Sequence, residues 1–192
     1  MQKFYHKELK DLTTLLQALN AVADSYNKKE VTVFAALQQW LTDAIQFYNG
    51  AGKAERESRL QLLKAEMITA QRNINPITLE KVTLHRQEMQ ATIAFKILQA
   101  AEQSLRTEVV ALEERIETAS ELTTQVVIAG LQAGIITDAI IKNETTQKAL
   151  ESLWAALSAN ENIALGQMRI LLTVSIYDVW ILLDEVVARL KN

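Results

Sequence analysis

The chain has 192 residues, enough for one large domain or two small ones and enough to bury a core without disulfides. It contains no cysteine, which excludes a disulfide framework, thiolate metal sites and cysteine nucleophiles. Its formal net charge is −3, so it has no basic excess with which to grip nucleic acid.

One proline and five glycines leave few turn residues, while Ala, Leu, Gln, Glu and Lys, all good helix formers, dominate. The fold class is therefore all-α. The opening MQKFYHKELK has lysines but no apolar h-region or small-residue cleavage site, so a cytoplasmic location is expected.

The first helix is expected over about 3–26, where Leu9, Leu12, Leu15, Leu16, Leu19 and Val22 recur at helical spacing. A second follows over about 31–48, with Val33, Phe34, Leu37, Leu41, Ile45 and Tyr48 on one side, and Gly50 and Gly52 suit its C-terminal cap. A third, about 53–73, opens on the solvated stretch KAERESR. Pro76 then breaks the chain and is itself suited to the first turn of the next helix.

That next helix dominates the sequence. From Leu79 to Val126 a stripe of apolar positions, interrupted only by Arg86, takes 13 steps over 47 residues, about 3.6 residues per step, the α-helical period. One very long central helix over about 77–142 is expected, in an elongated antiparallel bundle. The chain is read as a single domain over 1–192, with N-terminal helices 1–75 and a long helical hairpin 76–192 as sub-units. After Asn143, Thr145 or Thr146 suits an N-cap. A helix to Leu157 follows, SANEN bends or breaks it, and a last strongly apolar helix is expected over about 162–191. If the chain reverses near Asn143, Asp138 lies near Lys148, Arg169 near Glu113 and Glu114, and Asp178 near Arg106.

The segment Thr123–Ile141 carries one charge, Asp138, and is apolar on all sides. Such a helix is surrounded either by other helices or by lipid. Twenty residues from Leu122 to Ile141 are enough to cross a bilayer, but Asp138, Gln125 and Gln132 oppose a stable span. Gly130 and Gly134 form a small-xxx-small pattern, and with Leu131, Ile135 and Asp138 they are the candidate residues for a helix contact or for membrane entry. The preferred reading of the segment is a core helix.

Catalytic signatures are missing. There is no P-loop, Gly-rich dinucleotide motif, His-Glu-x-x-His or Gly-x-Ser-x-Gly pattern. His85 and Glu88 share a helix face, but in the reverse of the order that a di-iron bundle uses and only once, so His6 and His85 are expected to be ordinary solvated histidines. Trp40, Trp154 and Trp180 sit in apolar stripes and read as packing. No catalytic residue, metal or cofactor is expected. The sequence points to a non-enzymatic helical interaction or assembly protein that packs against itself or a protein partner. The alternative is an α-helical pore-forming protein that releases 123–141 at a bilayer. In layout alone, long helices with an apolar tongue at 123–141, the chain resembles pore-forming toxins of the cytolysin A type.

Overall fold

A computed structural model describes residues 4–137 and 146–191 of the chain. Seven helices occur among them: α1 (Tyr5–Asn27), α2 (Val33–Gly50), α3 (Ala54–Gln71), α4 (Arg86–Gln132), α5 (Gln147–Leu157), α6 (Glu161–Thr173) and α7 (Ile176–Leu190). The all-α bundle class and the single very long helix are as the sequence predicts. The chain forms two compact units, Asp11–Glu108 and the N-terminal segment to Lys10 together with everything from Val109 onward. This division falls at 108/109, inside α4.

In the unit Asp11–Glu108, each helix buries one face. α2 buries Val33, Leu37, Trp40, Leu41, Ala44 and Tyr48, and α3 buries Leu60, Leu63, Met67 and Ala70, both at helical spacing. α4 contributes Ile93, Ala94, Ile97, Leu98, Ala101 and Leu105. Polar ties fix the packing. Trp40 Nε1 donates to the Leu15 carbonyl at 2.9 Å, and Tyr26 Oη donates to the Ala91 carbonyl at 3.2 Å. Glu108 accepts from Lys53 at 2.9 Å, Arg56 at 3.0 Å and Tyr48 Oη at 3.1 Å, which joins the α2–α3 turn to α4. Gly52, at φ +68°, supplies the left-handed residue of that turn.

The long helix is shorter than 77–142 at both ends. The preceding helix, α3, ends at Gln71, ahead of Pro76, where Asn73 at φ +60° donates its N–H to the Ala70 carbonyl and Ile74 N–H donates to the Thr69 carbonyl, and α4 begins only at Arg86. Asn75 Oδ1 accepts from the backbone N–H of Ile77 and of Thr78, a local turn that competes with helical hydrogen bonding. Asn73, Leu79 and His85 all adopt positive φ, and Ile74 bridges Lys81. Leu79, expected on the buried stripe, is exposed. At the other end α4 stops at Gln132. Gly134 N–H donates to the Leu131 carbonyl and Ile135 N–H to the Gly130 carbonyl, both at 3.0 Å, with Gly134 at φ +69°. This is a Schellman cap, which satisfies carbonyls the helix end would otherwise leave open.

In the other unit, Ala119, Val126 and Val127 of α4 share a core with Ile136, with Leu150, Leu153 and Leu157 of α5, with Ile163 and Ile170 of α6, and with one face of α7. Thr146 caps α5 by accepting from Ala149 N–H, and Asn160 caps α6 by accepting from Asn162 and Ile163 N–H. The last helix expected over 162–191 is two helices. Ser175 starts α7 with a capping box closed by Asp178. That cap is the physical reason for the break.

Candidate assembly surface

Two glycines in this unit hold helices unusually close. A Cβ added at Gly130 would run into Leu157 Cδ2 and lie 2.9 Å from Ile136 Cδ1. One added at Gly166 would lie 2.7 Å from Val126 Cγ2. Gly130 thus gives α5 and the returning chain room against α4, and Gly166 does the same for α6. Gly134 takes no part in such a contact: nothing lies within 4 Å of its would-be Cβ, and its positive φ marks it as the helix terminator. The small-xxx-small pattern is therefore split between two jobs. Leu131 and Ile135 are half-buried against the core. Asp138 lies outside the described residues.

Gly166 was not singled out by sequence. A signal existed, since glycine within a helix costs about 1 kcal/mol relative to alanine and tends to be kept for close approach.

α6 is positioned by more than the glycine contact. Gln167 is buried, donates through Nε2 to the Trp154 carbonyl at 2.8 Å and accepts from Ser158 Oγ at 2.8 Å. With Ile163 and Ile170 on the same side, this fixes which face of α6 turns inward. The opposite face is also apolar. Leu165, Met168 and Leu172 lie within about 60° of one another around the helix, and are 59%, 62% and 88% exposed. Leu171 flanks them. Beside this stripe, Leu122, Gln125, Val126 and Ala129 of α4 and Asn162, Gly166 and Arg169 of α6 line an open groove of about 320 Å³. No carboxylate lines it.

Asp178 is the most heavily bonded side chain of the unit. It is fully buried. It accepts from Tyr5 N–H at 3.2 Å, His6 N–H at 2.9 Å and Ser175 N–H at 3.1 Å, and from Ser175 Oγ. His6 Nδ1 stands 2.8 Å from its Oδ1, and because a carboxylate only accepts, Nδ1 carries the proton. Burial pushes this carboxyl up. The hydrogen bonds from Ser175, His6 and Tyr5 outweigh burial and hold it below its ordinary 3.8. One side chain therefore caps two helices, α7 in its own chain segment and α1 from 172 residues away. His6 is accordingly not a solvated histidine, and Asp178 is not the partner of Arg106, which pairs with Glu102.

The residue types here are those of a hydrolytic triad, but the contacts run in the wrong order. Ser175 Oγ gives its hydrogen to the carboxylate and not to the imidazole, so nothing in the cluster prepares it as a nucleophile. His85 pairs with Glu88 at 3.0 Å with both side chains exposed. Among the described residues, no group of three or more His, Asp or Glu side chains could hold a metal, and no helix is long and apolar enough to cross a membrane.

The chain matches no family of known proteins, no curated protein and no solved structure.

Proposed function

We propose that this chain is a non-enzymatic helical interaction protein that assembles through the outward face of α6. The observation that carries this reading is the exposure of Leu165, Met168 and Leu172 on a helix whose other side is already committed to the core. Fully burying one such side chain stabilises by about 1.5–3 kcal/mol. A contiguous apolar face left in water is characteristic of a contact surface. Leu171 widens it and Arg169 gives it a charged edge. The arrangement offers packing and no reacting group.

The test is photo-crosslinking. A benzophenone amino acid at Met168 should give a discrete cross-linked species in cells carrying the chain at natural abundance, and Leu172→Glu should abolish it. The same probe at exposed Gln99 should give none. Equal labelling at both positions, or an adduct indifferent to Leu172→Glu, would refute the reading. The pore-forming alternative requires Thr123, Val126, Val127 and Ile136 to leave the core they occupy, and vesicle dye release is its assay.

A further inference from the structure

The packing of the unit Asp11–Glu108 brings two of its linkers to one end. Tyr26 Oη, in the last turn of α1, donates to the Ala91 carbonyl near the start of α4 at 3.2 Å. Gln90 Nε2 donates to the Ala70 carbonyl in the last turn of α3 at 3.3 Å. The α1–α2 linker (28–32) and the α3–α4 linker (72–85) therefore emerge together, and the α2–α3 turn, joined to Glu108, lies at the opposite end.

This end carries the unit's most exposed apolar side chains. Val31 is 98% exposed, and Ile77, Leu79 and Leu84 exceed every other large apolar residue of the unit. The bridge from Ile74 to Lys81 and the hydrogen bond from Asn75 N–H to the Glu80 carbonyl close a loop with Ile77 and Leu79 at its tip. The charge of this end is reversed relative to the chain. Lys28, Lys29, Arg72, Lys81 and Arg86, the first residue of α4, supply five cations. Set against them are Glu30 and Glu80, which leaves a local charge of +3 in a chain of net −3. None of these groups has an ion pair or hydrogen bond through its charged atoms among the described residues, and the next carboxylate, Glu88, is held by His85.

Two of these residues stand against the local chemistry of the fold. Leu79 adopts φ +59°, a conformation suited to Gly or Asn, and gains no burial in return. Arg86 puts a cation at the positive end of the α4 dipole. Residues that break a local rule without a gain inside the fold point to a role outside it.

We propose that this end of the unit docks on the anionic surface of a lipid bilayer. Val31, Ile77, Leu79 and Leu84 enter the boundary between headgroups and acyl chains, and the cations lie among the headgroups. Apolar insertion combined with basic attraction is what peripheral anchoring takes, and it needs no spanning helix. Lipid accepts each aliphatic side chain separately. A protein interface needs about 800 Å² of matched surface on each partner around one packed centre, whereas these side chains sit on two separate linkers. Nucleic acid would attract the cations, but neither linker carries a Phe, Tyr or Trp on which a base could stack, and aliphatic tips gain nothing against phosphate. The proposal does not depend on α6, which belongs to the other unit.

The test is flotation of the full chain with vesicles of equal parts phosphatidylcholine and phosphatidylserine, beside vesicles of phosphatidylcholine alone, with a circular dichroism melt of each variant. The parent should float with the anionic vesicles, and high salt or omission of phosphatidylserine should weaken binding about tenfold or more. Lys81→Gln and Arg86→Gln should each weaken it about fivefold. Leu79→Asn separates contact from folding: Asn suits a positive φ, so the melting temperature should not fall, while binding drops about tenfold. Because the chain has no cysteine, Thr78→Cys carries a single environment-sensitive dye to the tip of the loop. Its emission should shift to the blue on anionic vesicles, and the same dye at Gln99→Cys, exposed on the flank of α4, should not shift. A parent that floats with neither vesicle, or equally with both, overturns the proposal. Binding that Leu79→Asn leaves unchanged, or that leaves the dye at position 78 unshifted, overturns it as well and assigns the lipid contact to another part of the chain.

Discussion

Replacing Asp178 tests how the two ends of the chain are held in one unit. In Asp178→Ala five hydrogen bonds are lost at once: those of Tyr5 N–H, His6 N–H, His6 Nδ1, Ser175 N–H and Ser175 Oγ. Each bond to an ionised group is worth about 1.5–3 kcal/mol in isolation, but they share one acceptor and do not add. Loss of a single cap costs about 0.5–2 kcal/mol, and breaking a buried ionic pair about 3–5 kcal/mol. Asp178→Ala should therefore cost about 3–5 kcal/mol, a large share of the roughly 5–15 kcal/mol that holds a domain folded. Urea unfolding followed by circular dichroism measures it. pH supplies a second arm. The folded-state pKa lies below the unfolded one, so the carboxylate contributes stability that is present above the unfolded pKa and lost as pH falls through the folded value. The gap between the parent and Asp178→Asn should hold at neutral pH and close in acid, below 3.8. A cost under about 1.5 kcal/mol for the alanine variant, below that of one charged hydrogen bond, would show that Asp178 does not cap α1.

Gly130→Ala should destabilise by about 1–3 kcal/mol despite alanine's better helix propensity, because its Cβ meets Leu157 and Ile136. Adding Leu157→Ala should relieve that clash, which a double-mutant cycle by urea unfolding would detect as coupling. Gly134→Ala has open space but a left-handed backbone, so it should cost about 1 kcal/mol with no coupling to Leu157. Glu108→Gln keeps the shape and removes the charge between Lys53 and Arg56, and should cost about 1–2 kcal/mol, less in high salt, by thermal unfolding. Leu172→Ser removes a side chain that is 88% exposed and should leave the melting temperature unchanged at low protein concentration, where any assembly has dissociated.

Helix existence and most boundaries were legible because they depend on local chemistry. Gly52 and Thr146 act where the sequence places a stop and a cap, and the chain breaks within SANEN, although it is Asn160 that caps the helix that follows. The start of α4 was not legible, and the reason is instructive. Leu79 and Val82 fall on the helical period of the stripe, but they connect to Met89 only across Arg86, and periodicity cannot report that Asn75 has already turned the backbone aside. Asp178 misled for a different reason. Counting charges sends a buried carboxylate to the nearest arginine, whereas its real donors are mostly backbone N–H groups at the start of α1, which no charge pattern displays. Gly130 and Gly134 look equivalent in sequence. Only the geometry separates the glycine that sits under Leu157 from the one whose φ ends the helix.

The exposed stripe was hidden by its own surroundings. In a segment as apolar as 162–191, Leu165, Met168 and Leu172 pass for core along with everything else. What shows them to be surface is the lock on the other side of α6. Turning the helix to bury them would pull Ile163 and Ile170 out of the core, move Gly166 away from Val126 and put a side chain with a Cβ in its place, and strip Gln167 of both its hydrogen bonds. Each of those changes opposes rotation: two large apolar side chains exposed, an overpacked contact, and a buried amide left unsatisfied at about 1–3 kcal/mol. The stripe therefore stays outward because the inner face of α6 is already fully specified. Its exposure is a property of the fold, and only a surface outside this unit can bury it.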